Sequence, residues 1–499
     1  MSSEKLSVAV IGGGLTAASL LSSLLDRLDR QDDDVCISIY EPNPKNLASG
    51  PAFGDDWDCA IVNLPNSRMT VRNEDPLHFA RWLGRRGKTV GEVGADETDH
   101  GFAPRRVFGE YLKEHFDECV RVATGQRGWK VAVHSELVTS IARGGGTRNL
   151  SVISEQAARE HTHAVVAIGA GTPLDPYDLS AAPGFIPDPY PLREKLSSVQ
   201  DSRDVLVIGS GLTAVDVALG LLHQGHRGRI TLASRRGVLP EVISDLPHPL
   251  ELRHLTREAI IDQAKRTQGL TLRHVWQLLR RELSSIGTAP DETLAWFQPP
   301  RDSAAYLRHQ LARPATPVQA IFDAAGSEIN PLIRCLLPAR ERVHLATTYR
   351  TYLKSLQCPM PRRTGSALLN VMEAGQLRVR AGLVGVRSEG DGFRVEFEGS
   401  LDRAQVVVDA TRGTPGTGGP GARLVESLKR SGFAVSDAYG GLRTHPRSGL
   451  LVSQSAEGGG NLFAVGELTA GAIYYASSLP AVNRGSTAIA DSLATERVR

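Results

Sequence analysis

Two stretches of the chain repeat one arrangement of residues, and that arrangement suits a diphosphate. The first reads Val10-Ile11-Gly12-Gly13-Gly14-Leu15-Thr16-Ala17 and the second Val207-Ile208-Gly209-Ser210-Gly211-Leu212-Thr213-Ala214. Each comes after an apolar run and opens a stretch suited to a helix. The leading glycine (Gly12, Gly209) allows a tight turn, and the next (Gly14, Gly211) lets the backbone approach a pyrophosphate. The small third residue (Ala17, Ala214) lets helix lie on strand, and the helix start then offers its unpaired N–H groups to the phosphates. One such motif is common. Two, with Gly-Leu-Thr-Ala (Thr213 in the second) at the same place in both, point to two dinucleotide sites in one polypeptide.

The strand after each fingerprint separates the two sites. Residues 34–41 read as a second strand ending on Glu41. A carboxylate there accepts hydrogen bonds from a ribose diol and repels a 2′-phosphate. Residues 229–236 read as the equivalent strand of the other site, but it ends on Ser234, Arg235 and Arg236. Guanidinium forks match a phosphate dianion, so this site reads as one for NADP. The plainer alternative is that the two arginines are solvated surface.

Those two sites need a framework, and the 499 residues supply enough chain for several domains. The charged fraction is 22%, the apolar fraction 41% and the net charge +2. These values fit a globular protein and give no reason to expect nucleic acid or a membrane as partner. No apolar run approaches the length of a span, and the chain enters its first strand without a secretory signal, so the expected location is cytoplasmic. The five cysteines, Cys36, Cys59, Cys119, Cys335 and Cys358, form no Cys-x-x-Cys and no metal spacing. A dithiol reductase would need a close pair, and no metal site is expected.

Between the fingerprints lies a stretch dense in Gly, Pro and Asn at 50–69, and helical periodicity comes next at 75–87 and 104–122. Such a stretch either wraps a flavin ring, with Asn63, Arg68 and Met69 as the candidate contacts, or is an ordinary surface excursion. Strands are predicted at 130–134, 138–141 and 150–153. Two buried strands run into glycines, at 163–171 and 404–413, and they bracket the second fingerprint. The expected fold is therefore α/β with two Rossmann-like dinucleotide domains, the NADP domain nested in the flavin domain. The expected boundaries are 1–190, 195–365 and 366–499. Within the nested part, 250–345 carries helical spacing at 257–265, 274–283, 304–311 and 317–325. Extra elements of this kind build substrate pockets or subunit contacts, so a homo-oligomer is left open. Arg362 and Arg363 read as a solvated linker, with a substrate clamp as the alternative. Near the end, a strand closes on Gly466 and Glu467 and a helix is expected near 480–496. This order is similar to that of two-dinucleotide flavoproteins, in which the acid binds the flavin ribitol and the helix start faces the flavin pyrimidine.

These segments together resemble class B-like flavoprotein monooxygenases and, more closely, a bacterial family of FAD/NAD(P)-binding proteins. That family includes FAD-dependent urate hydroxylases and amino-acid N-oxygenating enzymes. The resemblance covers nearly the whole chain. It rests on the first fingerprint, on Val62-Asn63-Leu64-Pro65 with Met69, on Phe79-Ala80-Arg81-Trp82-Leu83, and on residues 209–219, 225–228 and 234–240. Ala464-Val465-Gly466-Glu467 and Leu479-Pro480-Ala481 complete it. It implies one FAD, one NADPH, oxygen as co-substrate and a small-molecule substrate. The implied reaction is oxygen transfer through a flavin C4a-hydroperoxide, with N-oxygenation of an amino-bearing metabolite as the leading form. An FAD/NADPH dehydrogenase or reductase shares both sites and is the alternative. The chain departs from the family in lacking the Phe-x-Gly-x-x-x-His-x-x-x-Trp-Pro signature, and in closing its helical stretch on Cys358-Pro359-Met360-Pro361. No catalytic side chain stands out, as expected where the cofactor carries the chemistry.

Overall fold

A computed structural model describes residues 5–28, 34–87, 101–145, 149–173, 175–243, 250–289, 302–312, 317–326, 329–411, 413, 418–454, 460–471 and 476–496. The predicted α/β architecture is present, and it is built twice. In the first unit, strands β1 (Leu6–Ile11), β2 (Val35–Tyr40) and β3 (Lys130–His134) pair in parallel. An antiparallel meander comes next, β4 (Val138–Arg143), β5 (Leu150–Ser154) and β6 (Ala158–His161). The chain then returns to the far side of β1 as β7 (His163–Val166).

The second unit repeats this plan. It takes β8 (Phe185–Ile186), β9 (Val205–Ile208), β10 (Ile230–Ala233) and β11 (Leu377–Arg380). Another antiparallel meander leads on from these, β12 (Leu383–Glu389), β13 (Gly392–Phe397) and β14 (Ser400–Ala404), and then β15 (Val406–Asp409). The first sheet is completed by β16 (Leu462–Ala464). The sheet orders are β16-β7-β1-β2-β3 and β11-β10-β9-β15-β8. Strands β9, β10 and β15 are buried along their whole length, as parallel strands covered on both faces must be.

The nesting is as expected, but a boundary at 365 falls inside the second unit. Its sheet takes β11 and β15 from beyond that position and β8 from before 190. Strands carry no mark of which sheet they will join, so sequence punctuation alone misplaced the return.

Helices α1 (Leu15–Arg27), α2 (His78–Arg85), α3 (Arg105–Gly125), α4 (Leu192–Lys195) and α5 (Leu212–His223) support the sites. Leu20, Leu24 and Phe116 cover one face of the first sheet, and Val138, Leu424 and Leu428 cover the other. Helix α1 also meets the late helix Leu479–Glu496, where Ser19 Oγ donates to Asn483 Oδ1 at 2.9 Å. Between β10 and β11 lie the helices Arg257–Arg266, Leu272–Ser285, Ser303–Ala312, Pro317–Ala325, Ile329–Leu336, Ala339–His344 and Arg350–Gln357. Most of them share a core of their own, including Leu278, Leu283, Ile321, Ile333 and Leu356. The helical insertion is therefore present, and it has a core of its own.

Arg362 and Arg363 are not a solvated linker. They open the helix Arg362–Glu373, and both are half-buried. Arg362 donates to Leu311 O at 2.5 Å, and Arg363 donates to Phe102 O in the first unit.

Candidate dinucleotide sites

At the first fingerprint Gly12 has φ +106°, and a Cβ there would lie 2.4 Å from Ala167 O. Only glycine fits that turn. Helix α1 starts from Gly14 with no side-chain cap, so its first N–H groups stay available to an anion. Ala17 is buried against the sheet. Glu41, at the end of β2, is buried. It accepts from Gly13 N–H at 3.0 Å and from Asn43 N–H at 3.1 Å. The carboxylate is thus fixed beside the glycine turn. Two further features adjoin the cradle. Gly50 backs Gly14 closely, since a Cβ on Gly14 would lie 3.6 Å from its backbone. Next to it the buried Ser49 hydroxyl has no hydrogen-bond partner among the described residues.

Gly466 joins this cradle. It has φ +77°, and a Cβ there would come 3.9 Å from Thr16 Oγ1. Glu467 is buried at the start of the short turn Gly466–Thr469. The helix expected beyond it spans Leu479–Glu496, while Ala472 and its three successors lie outside the described residues. In the Gly/Pro/Asn-rich stretch, Met69 is buried in an aromatic cluster with Phe79, Trp82 and Phe108, and Asn63 is half-exposed. Arg68 points elsewhere: it makes a two-pronged ion pair with Asp323 of the helical insertion, at 2.7 and 3.0 Å. Nearby Asn66, fully buried, accepts from Ala103 N–H at 2.9 Å. Its amide nitrogen has no partner among the described residues.

The second fingerprint has the same backbone. Gly209 has φ +123°, and a Cβ there would meet Ala410 O at 3.1 Å. Gly211 begins α5 with no side-chain cap, and a Cβ added to it would meet nothing within 4 Å. Ala214 is buried, and Thr213 stands beside the hydroxyl of Tyr190. The Ser234-Arg235-Arg236 segment resolves into three different roles. Ser234 Oγ shares a hydrogen bond with Ser210 Oγ at 2.9 Å and accepts from Gly237 N–H at 2.9 Å, which closes the loop on the fingerprint. Arg235 is exposed and lies near the Tyr177 hydroxyl. Arg236 donates to Thr348 O, and to Thr347 O at 3.3 Å, in the insertion. Asp409, at the end of β15, accepts from Thr411 N–H at 2.8 Å; its second oxygen is buried and unpartnered among the described residues. Arg412, expected in the same strand end, lies outside the described residues.

A buried ion pair joins the two units. Arg105, at the start of α3, meets Asp216 of α5 at 2.9 Å, and the Tyr190 hydroxyl donates to the same carboxylate. Burial opposes the charge on Arg105, but Asp216 more than compensates and raises its pKa; burial also pushes Asp216 up. Asp56 stands close by and accepts from Leu192 and Arg193 N–H at 2.7 and 2.9 Å. The sequence held one signal for this pair, a single acid inside the otherwise apolar run of α5.

The five cysteines are all free. Burial pushes the Cys59 thiol up to about 11 and the Cys119 thiol up to about 12. Neither has thiolate character near neutrality. No helix among the described residues is long and apolar enough to cross a membrane.

Residues 9–171 match the family model described as FAD-NAD(P)-binding. The uncharacterized protein YdhS of Escherichia coli (strain K12) is 25% identical over 308 residues, 55% of this chain and 54% of that protein. The match thus spans about half of that relative's length. Among solved structures, the ornithine N-hydroxylase of Kutzneria sp. 744 has a TM-score of 0.57 at 15% identity, covering 99% of both chains. The L-lysine 6-monooxygenase of Pseudomonas syringae has a TM-score of 0.60 at 16% identity, covering 99% of this chain and 100% of its own. At these identities the likeness is one of fold, and it extends over the whole chain.

Proposed function

We propose that this chain is a single-component, FAD-dependent, NADPH-consuming monooxygenase acting on a small amino-bearing metabolite. The observation that carries this reading is the pair of glycine cradles, alike in backbone and opposite in the group after the second strand. One presents a fixed carboxylate, Glu41, and the other an exposed guanidinium, Arg235. The first suits the unmodified ribose of FAD and the second the 2′-phosphate of NADPH. When bound, the flavin accepts hydride from the nicotinamide and activates oxygen.

The chain's own residues bind, orient and exclude water. Gly12, Gly14 and Ala17 admit the FAD pyrophosphate to the start of α1, and Glu41 holds the ribose. Gly466 and Glu467 meet the flavin side of the same cradle. Met69 and Asn63 border that side from the loop, and Arg68 serves to hold the insertion over it. At the second site Gly209, Gly211, Thr213 and Ala214 form the NADPH pyrophosphate cradle. Arg235 reads the 2′-phosphate in a loop shaped by Ser234 and Arg236. The ornithine and lysine enzymes of like fold act on amines, which supports a nucleophilic nitrogen as the oxygen acceptor. Free, separated thiols leave no dithiol route for electrons, which favours oxygen as the acceptor over disulfide reduction. A cytoplasmic location accords with cofactors of this kind.

The test is turnover with NADPH under labelled oxygen gas against a panel of amino acids, diamines and purines. One labelled atom in the product is the expected result. A product free of label, or one formed equally well without oxygen on another acceptor, assigns the chain to the dehydrogenases. Glu467→Ala is expected to weaken FAD retention while the fold persists.

A further inference from the structure

Arg236 stands in the loop assigned to NADPH, yet its guanidinium is turned away from the fingerprint and into the helical insertion. It donates to Thr348 O, and to Thr347 O at 3.3 Å, and lies over the Tyr352 ring at 5.4 Å. Both carbonyls belong to a π-helical turn, Leu345–Tyr349, set between the helices Ala339–His344 and Arg350–Gln357. A π turn shifts carbonyls off the regular i→i+4 ladder, and such turns cluster at functional positions. Here a cation from outside the rod takes up two of them.

The rod does not end the connection. Leu356, on its last helix, shares one apolar core with Val318 and Ile321 of the helix Pro317–Ala325. That helix carries Asp323, whose carboxylate holds both prongs of Arg68 in the loop beside the first cradle. A second grip lies close to Gly466 and Glu467, where Arg334 donates to Ala470 O at 3.1 Å. A third is Tyr439, which lies under Arg342 at 4.9 Å and donates to Ala339 O at 3.3 Å. Although inserted into the second unit, the helices are fastened to the first.

We propose that Arg236 is a positioning residue rather than a phosphate reader: it ties the NADPH loop to the π turn, so that an occupied second cradle fixes the insertion over the flavin side of the first. This rests on the assignment of NADPH to the second cradle. NADP(H) seated in the second cradle orders residues 234–237, and Arg236 transmits that order to the helices Ala339–His344 and Arg350–Gln357. With no nucleotide to order the loop, Arg236 holds the π turn less firmly and the insertion loosens. The consequence for turnover is coupling: NADP(H) bound at one site keeps water from the other.

The experiment uses the full-length, FAD-loaded protein. Affinity for NADP+ is measured by calorimetry. Hydrogen exchange is then measured in peptides covering 317–325 and 345–357, with and without saturating NADP+. In the wild type NADP+ should slow exchange in both peptides. In Arg236→Ala the affinity should stay within about threefold of wild type, since a reader's charge-assisted bond would cost tens-fold, while the slowing disappears. Peroxide released per NADPH consumed should rise several-fold. Arg235→Ala should do the reverse: affinity falls by tens-fold, and the slowing returns at saturation. Tyr352→Leu removes the ring but not the fork and should weaken the slowing. Arg236→Lys keeps one donor and should retain part of it, which guards against a folding defect in the alanine variant. Arg236→Ala losing affinity as Arg235→Ala does would overturn the proposal, and so would slowing that persists in Arg236→Ala. A wild type that binds no NADP+ overturns the functional reading as well, and so is told apart from failure of this proposal alone.

Discussion

The two sheet units share the order of four strands, β7-β1-β2-β3 and β15-β9-β10-β11, a meander in the same place and a glycine turn of the same geometry, yet they differ wherever the chain leaves β2 or its counterpart β10. In the first unit that crossover leads through Glu41, the loop around Met69 and the aromatic helices α2 and α3. In the second it leads through Ser234, Arg235 and Arg236 into a helical body with its own core. The lesson is that one topological slot carries the specialisation of each unit, while the fingerprint itself stays constant. On the proposed assignment, phosphate geometry is common to both ligands, so the turn is kept, and what differs between them is read just after the second strand.

The comparison can be broken most sharply at the glycines. Gly14→Val should yield colourless protein, and Gly211→Val should yield yellow protein that NADPH no longer reduces; absorbance at purification and an anaerobic NADPH titration check both. If Gly14→Val retains a full complement of flavin, the assignment of the first cradle is wrong. Next in size is the buried pair that joins the units. Arg105→Ala strands the Asp216 carboxylate and should cost about 3–5 kcal/mol of stability in a denaturant titration.

The units should also respond to pH in opposite senses. In the second, burial pushes Glu241, whose partner is the Tyr306 hydroxyl, from 4.5 up to about 7. The folded state therefore holds that proton more tightly than the unfolded chain, and stability falls as pH rises from 4.5 towards 7. In the first unit, burial pushes His115 and His161 from 6.5 down to about 4. Their contribution is complete above 6.5 and is lost as pH falls towards 4. At about 1.4 kcal/mol per pKa unit each is worth a few kcal/mol at most. Hydrogen exchange of the two sheets between pH 4.5 and 7 should show these opposed trends, and Glu241→Gln should weaken that of the second. The smallest effect sharpens the ligand difference. Arg235→Ala should remove about 1.5–3 kcal/mol from NADPH recognition and leave NADH almost unaffected, read as the ratio of their Michaelis constants.

The sequence made legible whatever chemistry is written locally: the two turns, Glu41, and the cations after β10. The α/β class and the nesting could be read from buried strands on either side of the second turn. Direction was not legible. Nothing in Ser234-Arg235-Arg236 says that only the middle residue faces outward, because that is set by Ser210, Gly237 and a carbonyl pair more than a hundred positions away. Nor is the direction of Arg68 legible, since its partner Asp323 belongs to a distant helix. A two-residue strand such as β8 has no periodicity to detect, and its pairing with β15 set the real edge of the second sheet.

The nesting also fixes an order of completion during synthesis. Every strand of the second sheet has been synthesised once Asp409 is added, whereas the first sheet waits for β16, and α1 waits for the helix Leu479–Glu496 to cover Ser19. The unit begun first is thus finished last. Until then its early strands emerge with apolar surface uncovered, while the inner unit already has all its strands. On the proposed assignment FAD is acquired late in the life of the nascent chain, and chains cut short after Asp409 should retain nucleotide binding at the second cradle while remaining colourless.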